Sequence, residues 1–498
     1  MPEKRYILAI DQGTTRTKSI IFDENGNIVG EGYSKVETVY PRPGWVEQRP
    51  RDLLQSILDS TKQALKSGGI DLSRIETIGI ANQGETVIVW DSETGEPVYN
   101  AISWQCRRTA PLCEKLKRLG VEDKIREKTG LIIDPYFSAT KIKWILDNVE
   151  EAKKKLKQGR LLCGTSDAWL LWKLSGGEIF ATDYTTASRT MLLNIHNLSW
   201  DDEILDILEM PKEILPDPKS NSGVVGYTSR KIFGEEIPIS GLIVDQQGAL
   251  FGQACFDSGM VKCTYGTGCF ILMNTGERPV KSKHALLTTV AWKLDGDVNY
   301  ALDGGIFIAG AAIEWLKRIG LIRDAAETEK LARSIEDTGD LFFIPAFAGL
   351  AAPYWDPYAR GMIIGITGGT GREHIVRALL EAIAFRVHDI IDCMEIDSGY
   401  KIKTLRVDGG MVANRFLMEF QADILGIPIE VPKISETTSL GVAYLAGLAT
   451  HVWRSLKEIA ESWEAKEVYK PKLSEEERRI LLERWREAVK RSLRWSRL

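Results

Sequence analysis

Tyr6-Ile7-Leu8-Ala9-Ile10-Asp11-Gln12-Gly13-Thr14-Thr15-Arg16-Thr17-Lys18-Ser19-Ile20-Ile21-Phe22-Asp23 sets an apolar run, a polar turn and a second apolar run end to end. Short apolar runs bounded by turn residues read as buried strands. Glu24-Asn25-Gly26-Asn27 then turns the chain into a third run over 28–33. Two strands joined by this short glycine-containing turn read as an antiparallel hairpin. The first turn holds an acid, a glycine and two hydroxyls, more chemistry than a turn needs.

Working outward, 52–66 has helical spacing, with Leu53, Leu54, Ile57, Leu58 and Leu65 on one face. Residues 75–80 read as a strand that delivers the chain to Asn82-Gln83-Gly84-Glu85-Thr86, and 87–90 follow as another, closed by a turn at 91–95. The second half repeats the style without a visible sequence repeat. A strand over 259–264 meets Tyr265-Gly266-Thr267-Gly268 and returns over 269–273. A strand over 404–407 runs into Asp408-Gly409-Gly410, and 414–424 reads as a helix. The last helix is expected over 474–495. Ser474 and Glu477 make its capping box, and Ile480, Leu481, Leu482, Trp485 and Val489 its apolar face.

The totals bound the class. A chain of 498 residues exceeds what one core usually supports, so two or more domains are expected. With 44% hydrophobic and 27% charged residues and a net charge of −5, neither a polyanionic partner nor a nucleic-acid patch is indicated. No apolar run reaches the length of a membrane span, and Met1 to Arg5 carry no secretory leader pattern. Seven scattered cysteines and five scattered histidines suggest reduced thiols in a cytoplasmic protein and no zinc site.

Three glycine-containing turns stand at strand ends: Asp11-Gln12-Gly13-Thr14-Thr15, Tyr265-Gly266-Thr267-Gly268 and Asp408-Gly409-Gly410. Glycine lets backbone N–H groups approach a phosphate, threonine adds donors, and an aspartate at a strand end holds a magnesium ion. Each alone reads first as an ordinary hairpin turn. No GxxxxGK[ST] loop is present, which excludes a P-loop enzyme. Asp245, in Ile243-Val244-Asp245-Gln246-Gln247-Gly248, follows an apolar strand. Local spacing leaves two roles open for it: a general base toward an alcohol or a helix N-cap.

Taken in order, these stretches resemble the FGGY family of carbohydrate kinases, and within it the glycerol-phosphorylating members. The likeness spans nearly the whole chain. It also rests on Pro43-Gly44-Trp45-Val46-Glu47-Gln48, Trp104-Gln105-Cys106-Arg107-Arg108-Thr109, Ile133-Asp134-Pro135-Tyr136-Phe137-Ser138 and Ala352-Pro353-Tyr354-Trp355-Asp356-Pro357-Tyr358-Ala359-Arg360-Gly361. The resemblance implies an α/β fold of two actin-like (ribonuclease-H-like) domains with a cleft between them. The expected division is 1–252, with the polyol site and first phosphate loop, and 253–498, with the nucleotide site. It also implies a homo-oligomer, a dimer or tetramer.

By the same resemblance, ATP and Mg2+ occupy the cleft and a small polyol, glycerol first, is phosphorylated to sn-glycerol 3-phosphate. Asp245 is the implied general base. Gly84, Glu85, Trp104, Tyr136, Gln246 and Phe270 line the polyol pocket with it. Asp11, Gly13, Thr14, Thr15, Lys18, Gly266, Thr267, Gly310, Glu314, Gly410, Met411 and Arg415 face the nucleotide, and Asp11 takes the metal, directly or through water. Arg107 and Arg108 read as structural or interfacial.

The sequence departs from the family at one telling place. Gly84 stands where glycerol kinases carry an arginine that bonds glycerol hydroxyls. The loss of a charged donor weakens binding by about 1.5–3 kcal/mol if nothing replaces it. It also opens space, so another polyol or a ketose is an alternative substrate. A nucleotide-dependent switch of the actin or chaperone kind is the alternative from another class. Arg16, Lys18, Glu314 and Arg415 depart on the nucleotide side, where Glu314 and Arg415 are candidates to pair with each other. The glycine-rich loop with an arginine that binds fructose 1,6-bisphosphate in some bacterial members is replaced by Ser229-Arg230-Lys231-Ile232-Phe233-Gly234-Glu235-Glu236.

Overall fold

The three opening runs form the strands Tyr6–Gln12, Arg16–Asp23 and Ile28–Lys35, joined antiparallel in chain order. This computed structural model describes residues 5–347 and 349–496, and the first four residues of the expected leader-free start lie outside them. Ile75–Asn82 adds parallel to Tyr6–Gln12, and Pro238–Val244 adds parallel beyond it. A parallel neighbour needs a crossover, and the helix Pro50–Gly68 makes the first one. That helix starts with proline at its first position, ends on Gly69 in the left-handed region (φ 62°), and buries Leu53, Ile57, Ser60 and Ala64. It lies so close on the meander that a Cβ at Gly32 would stand 2.0 Å from the Ser60 carbonyl oxygen.

The second half repeats the plan. Val261–Tyr265, Cys269–Gly276 and Asp297–Ile306 are antiparallel neighbours, and Leu405–Asp408 and Ile429–Pro432 add parallel on the other side. Two mixed sheets of six and seven strands therefore share a core order of three antiparallel strands followed by two parallel ones. This duplication is the two-domain, actin-like α/β arrangement. A third sheet, of Thr38–Val39, Glu47–Gln48, Ala101–Ile102, Val87–Asp91 and Leu161–Thr165, belongs to the first half alone. Arg108 is buried at its edge, 2.6 Å from Glu47 and 3.9 Å from the Trp45 ring centre, and Arg107 pairs with Asp134 at 2.7 Å. Arg108 is thus part of the interior, whereas Arg107 makes a surface pair.

The halves are clamped at helices. Thr437–Ala449, from the second half, lies on the first sheet and against the helix Asp245–Gly252. A Cβ at Gly252 would meet the Thr437 carbonyl oxygen at 1.9 Å, and one at Gly441 the Gly248 carbonyl oxygen at 1.9 Å. One apolar core there joins Ile7, Ala9, Phe22, Phe251, Trp292 and Val442.

The final helix is Glu475–Ser492, with the expected capping box of Ser474 and Glu477. Its buried face is Leu482, Trp485, Ala488 and Val489, while Ile480 is exposed, contrary to expectation. The reason is Trp485: it stacks on Phe385 at 5.1 Å and donates its indole N–H to Asp389, which fixes the helix rotation one position away from Ile480. The seven cysteines are buried and unpaired. No helix among the described residues is long and apolar enough to cross a membrane.

Candidate active site

The turn expected to carry the first pocket residues is unusually tight. Thr86 N–H donates to the Gly84 carbonyl at 2.7 Å, which bends the chain around Glu85 at φ 59°. A non-glycine residue in the left-handed region costs on the order of 1–2 kcal/mol and persists only where the surroundings hold it. The surroundings here are ionic. Glu85 Oε1 accepts from Arg189 Nε at 2.7 Å, and Lys141, fully buried, donates to the carbonyls of Glu85, Tyr136 and Phe137. Burial pushes the Lys141 amine down to about 8.

Glu85 opens onto a cavity of about 50 Å³ lined by Thr14, Gly84, Trp104, Tyr136, Arg189, Asp245, Gln246 and Phe270, with Val244, Gln247 and Asp303 completing the wall. All seven polyol-pocket residues expected from sequence meet there. Trp104 stands edge-on to Tyr136 at 5.6 Å and donates its indole N–H to Thr14 Oγ1 at 2.9 Å. The aromatic wall is thereby tied to the first glycine turn. At about 10–15 Å³ per water-sized sphere, the space suits a molecule of a few heavy atoms.

Asp245 opens its helix rather than capping it. The N-cap is Val244, and the Asp245 carboxylate accepts its neighbour's Gln246 N–H at 2.7 Å. Burial pushes this carboxyl up to about 7, and the charges of Glu85 and Asp11 add to the effect against the Gln246 N–H and Lys262. A carboxylate near neutrality at the cavity wall is matched to accepting an alcohol proton. Lys262, a fully buried lysine of the second sheet, donates to Gln246 Oε1 at 2.6 Å. That bond turns the Gln246 amide nitrogen away from the lysine.

The second and third glycine turns meet each other. Gly310 N–H donates to the Gly266 carbonyl at 3.1 Å, and Ala309 and Ala311 N–H groups donate to the Thr267 carbonyl at 3.0 and 3.1 Å. A Cβ at Gly310 would stand 2.6 Å from the Gly266 carbonyl oxygen, and one at Gly409 2.4 Å from that of Tyr265. The second turn is thus seated between the helix Gly310–Arg318 and the Gly410–Ala413 turn that includes Met411. On the first turn, Gly13 N–H donates to Arg16 at 3.2 Å, and Lys18 pairs with Glu436. Asp11 carries no hydrogen bond on its carboxylate among the described residues. Burial raises its pKa, with Lys18 pulling it back. An unbonded carboxylate beside the Thr14 and Thr15 hydroxyls fits a magnesium ion, which keeps waters and phosphate oxygens alongside one or two carboxylates.

Glu314 and Arg415 do not pair. Glu314 bonds Lys317 one turn along its own helix, at 2.9 Å, and Arg415 faces Glu467 at 3.4 Å. Helical i,i+3 geometry and the neighbouring strand offer each a nearer partner. Sequence reasoning missed Arg189, Asp303 and Lys262. Asp303-Gly304-Gly305 repeats the acid-glycine-glycine signature of Asp408-Gly409-Gly410, and Lys262 is a lone charge in an apolar strand. Both were signals. Arg189, in Ala187-Ser188-Arg189-Thr190, carried none.

Likeness to known families and proteins places the chain as a whole. The FGGY carbohydrate-kinase N-terminal domain matches residues 6–252, and the C-terminal domain of the same family matches 261–450. The chain is 57% identical to glycerol kinase 2 of Thermotoga maritima and 53% identical to the glycerol kinase of Caldanaerobacter subterraneus, covering 99% of each chain in both cases. Its fold superposes on the crystal structure of Plasmodium falciparum glycerol kinase with ADP at a TM-score of 0.93, with 40% identity and 98% of both chains covered. Turns, cavity and likeness lead to one assignment: the chain belongs to the FGGY family of carbohydrate kinases.

Proposed function

We propose that the chain transfers the γ-phosphoryl group of ATP to a terminal hydroxyl of glycerol, giving sn-glycerol 3-phosphate and ADP. The observation that carries this reading is Asp245, a carboxylate poised near pH 7 on the wall of a cavity with room for a three-carbon polyol. The full-length relatives named glycerol kinase support the choice of substrate.

In this reading Glu85, Gln246 and Asp245 bond the hydroxyls, while Trp104, Tyr136 and Phe270 cover the carbon chain beside Gly84. Asp245 accepts the hydroxyl proton as the oxygen attacks the γ-phosphorus in line. Thr14 and Thr15 on one side and Thr267 on the other receive the phosphates through N–H and hydroxyl groups, Gly13 and Gly266 leave room for that approach, and Lys18 adds positive charge. Gly310, Gly410 and Met411 border the nucleoside, and Glu314 and Arg415 lie at its outer edge. Asp11 would hold magnesium, which when bound with ATP neutralises phosphate charge. The polyol side then belongs to residues 1–252 and most of the nucleotide side to 253–498. Closure of the cleft would exclude water from the reacting phosphate.

Gly84 favours one second reading, a longer polyol or a ketose, because it lines the cavity without a side chain. The test is a coupled ADP-release assay over glycerol, erythritol, xylitol, ribitol, dihydroxyacetone, D-xylulose and L-ribulose, with and without magnesium. The highest kcat/KM on glycerol supports the first reading. A longer substrate in first place overturns it in favour of the second.

A further inference from the structure

The cation that position 84 lacks has another source in the cavity wall. Arg189 is buried, follows the short helix Tyr184–Ala187, and lies with its guanidinium 5.6 Å from the Tyr136 ring centre. Nε donates to Glu85 Oε1 at 2.7 Å and Nη1 to Asp303 Oδ2 at 2.8 Å. Nη2 makes no hydrogen bond among the described residues, yet it is absent from the buried polar atoms left without partners. That combination places Nη2 at the open surface of the cavity Arg189 lines. The opposite oxygen of Glu85, Oε2, likewise takes no hydrogen bond among the described residues.

The other cations here are committed elsewhere. Lys141 is spent on three backbone carbonyls. Lys262 is held by Gln246, Thr264 and the Phe270 carbonyl. A guanidinium locked on two edges by carboxylates has its third edge aimed without further entropy cost, and a lysine ammonium cannot reproduce that fork. Asp303 comes from the strand Asp297–Ile306 of the second sheet, whereas Glu85 and Arg189 belong to the first half. The donor is therefore set by both halves together.

We propose that Arg189 is a substrate-binding, specificity-determining residue. Its Nη2 donates to one hydroxyl of the polyol while Glu85 Oε2 accepts from a hydroxyl, and Asp303 is the positioning residue that holds the guanidinium in place. This rests on the polyol-kinase reading, and that reading fails separately, as absence of wild-type turnover on every polyol of the panel.

The test compares wild type, Arg189→Lys and Asp303→Asn on glycerol, propane-1,2-diol and propane-1,3-diol, with ATP varied independently. Each diol lacks one glycerol hydroxyl. The expected result for Arg189→Lys is a glycerol KM raised roughly 10- to 100-fold, the loss of one charged hydrogen bond, with the ATP KM within about threefold of wild type. The penalty should vanish on the diol that lacks the bonded hydroxyl and persist on the other. A general structural defect cannot produce that pattern. Asp303→Asn retains Arg189 and its bond to Glu85, so it should show the same diol pattern at smaller size even if Arg189→Lys fails to fold. An unchanged glycerol KM in folded Arg189→Lys, or an equal loss on all three substrates in both variants, overturns the proposal.

Discussion

The pH dependence of kcat/KM for glycerol tests the assignment of Asp245 most directly, because the free protein sets it. Burial holds this carboxyl at about 7, Glu85 and Asp11 push it upward, and Lys262 pulls it downward. A base must be deprotonated to accept a proton, so kcat/KM should fall about tenfold per pH unit below 7 and level off above about 8. Two neutralising substitutions should move the inflection in opposite directions. Glu85→Gln removes a like charge and shifts it toward acid. Lys262→Met removes an opposite charge and shifts it toward alkali. Asp245→Asn should lose about 10²- to 10⁴-fold of kcat above about pH 8, with a smaller deficit at acid pH where wild type is protonated. The stability sign also follows. A carboxyl whose folded pKa is raised contributes stability that is complete below about pH 4 and lost as pH rises through 7. Asp245→Asn should therefore unfold at a higher temperature than wild type at pH 8, by at most about 4 kcal/mol at about 1.4 kcal/mol per pKa unit. The assay is ADP release at saturating ATP from pH 5.5 to 8.5, with thermal melts in the same buffers. A flat profile, or two charge variants shifting the same way, refutes the argument.

Three further outcomes follow from close approaches. Gly310→Ala sets a methyl group 2.6 Å from the Gly266 carbonyl and must displace the second glycine turn; the ATP KM should rise about tenfold or more with the glycerol KM little changed, measured by steady-state kinetics. Gly441→Ala drives the helices Asp245–Gly252 and Thr437–Ala449 apart from a 1.9 Å approach; melts should show a loss of about 1–3 kcal/mol or failure to fold. Gly84→Arg places its Cβ 2.9 Å from a Val244 methyl, which must shift slightly, and fills space in the cavity; activity on xylitol and ribitol should disappear and the glycerol KM should fall, as the substrate panel will show.

The fold was legible because its signals are local. The meander of Tyr6–Gln12, Arg16–Asp23 and Ile28–Lys35 is written as apolar runs separated by short turns, and the capping box of the last helix lies within four residues. The rotation of that helix was not legible. Ile480 and Leu482 are equally apolar, and only the seat of Trp485 between Phe385 and Asp389 decides which is buried. The doubled sheet order was likewise hidden, since strand pairing such as Val261–Tyr265 with Leu405–Asp408 joins residues well over a hundred positions apart.

The same division runs through the site. Asp11, Gly84, Glu85, Asp245 and Gly266 stand in turns at strand ends, where an unusual residue is visible against its neighbours. Arg189, Asp303 and Lys262 act through partners from the other half of the chain, and no local pattern names a partner. Their roles follow from an electrostatic requirement. Glu85 and Asp245 approach each other across a small, poorly solvated cavity, and the charge of Glu85 raises the pKa of Asp245. Two carboxylates there need buried cations, since an unpaired buried charge is costly. Arg189 meets the need from the Glu85 side through an ion pair, and Lys262 lowers the Asp245 pKa from the other. Because Asp303 and Lys262 belong to the second sheet, the site has its full charge balance only when the two halves are together. Arg189 meets Asp303, and Gln246 meets Lys262, each across the two halves, so the charge balance of this cavity is a property of neither half alone.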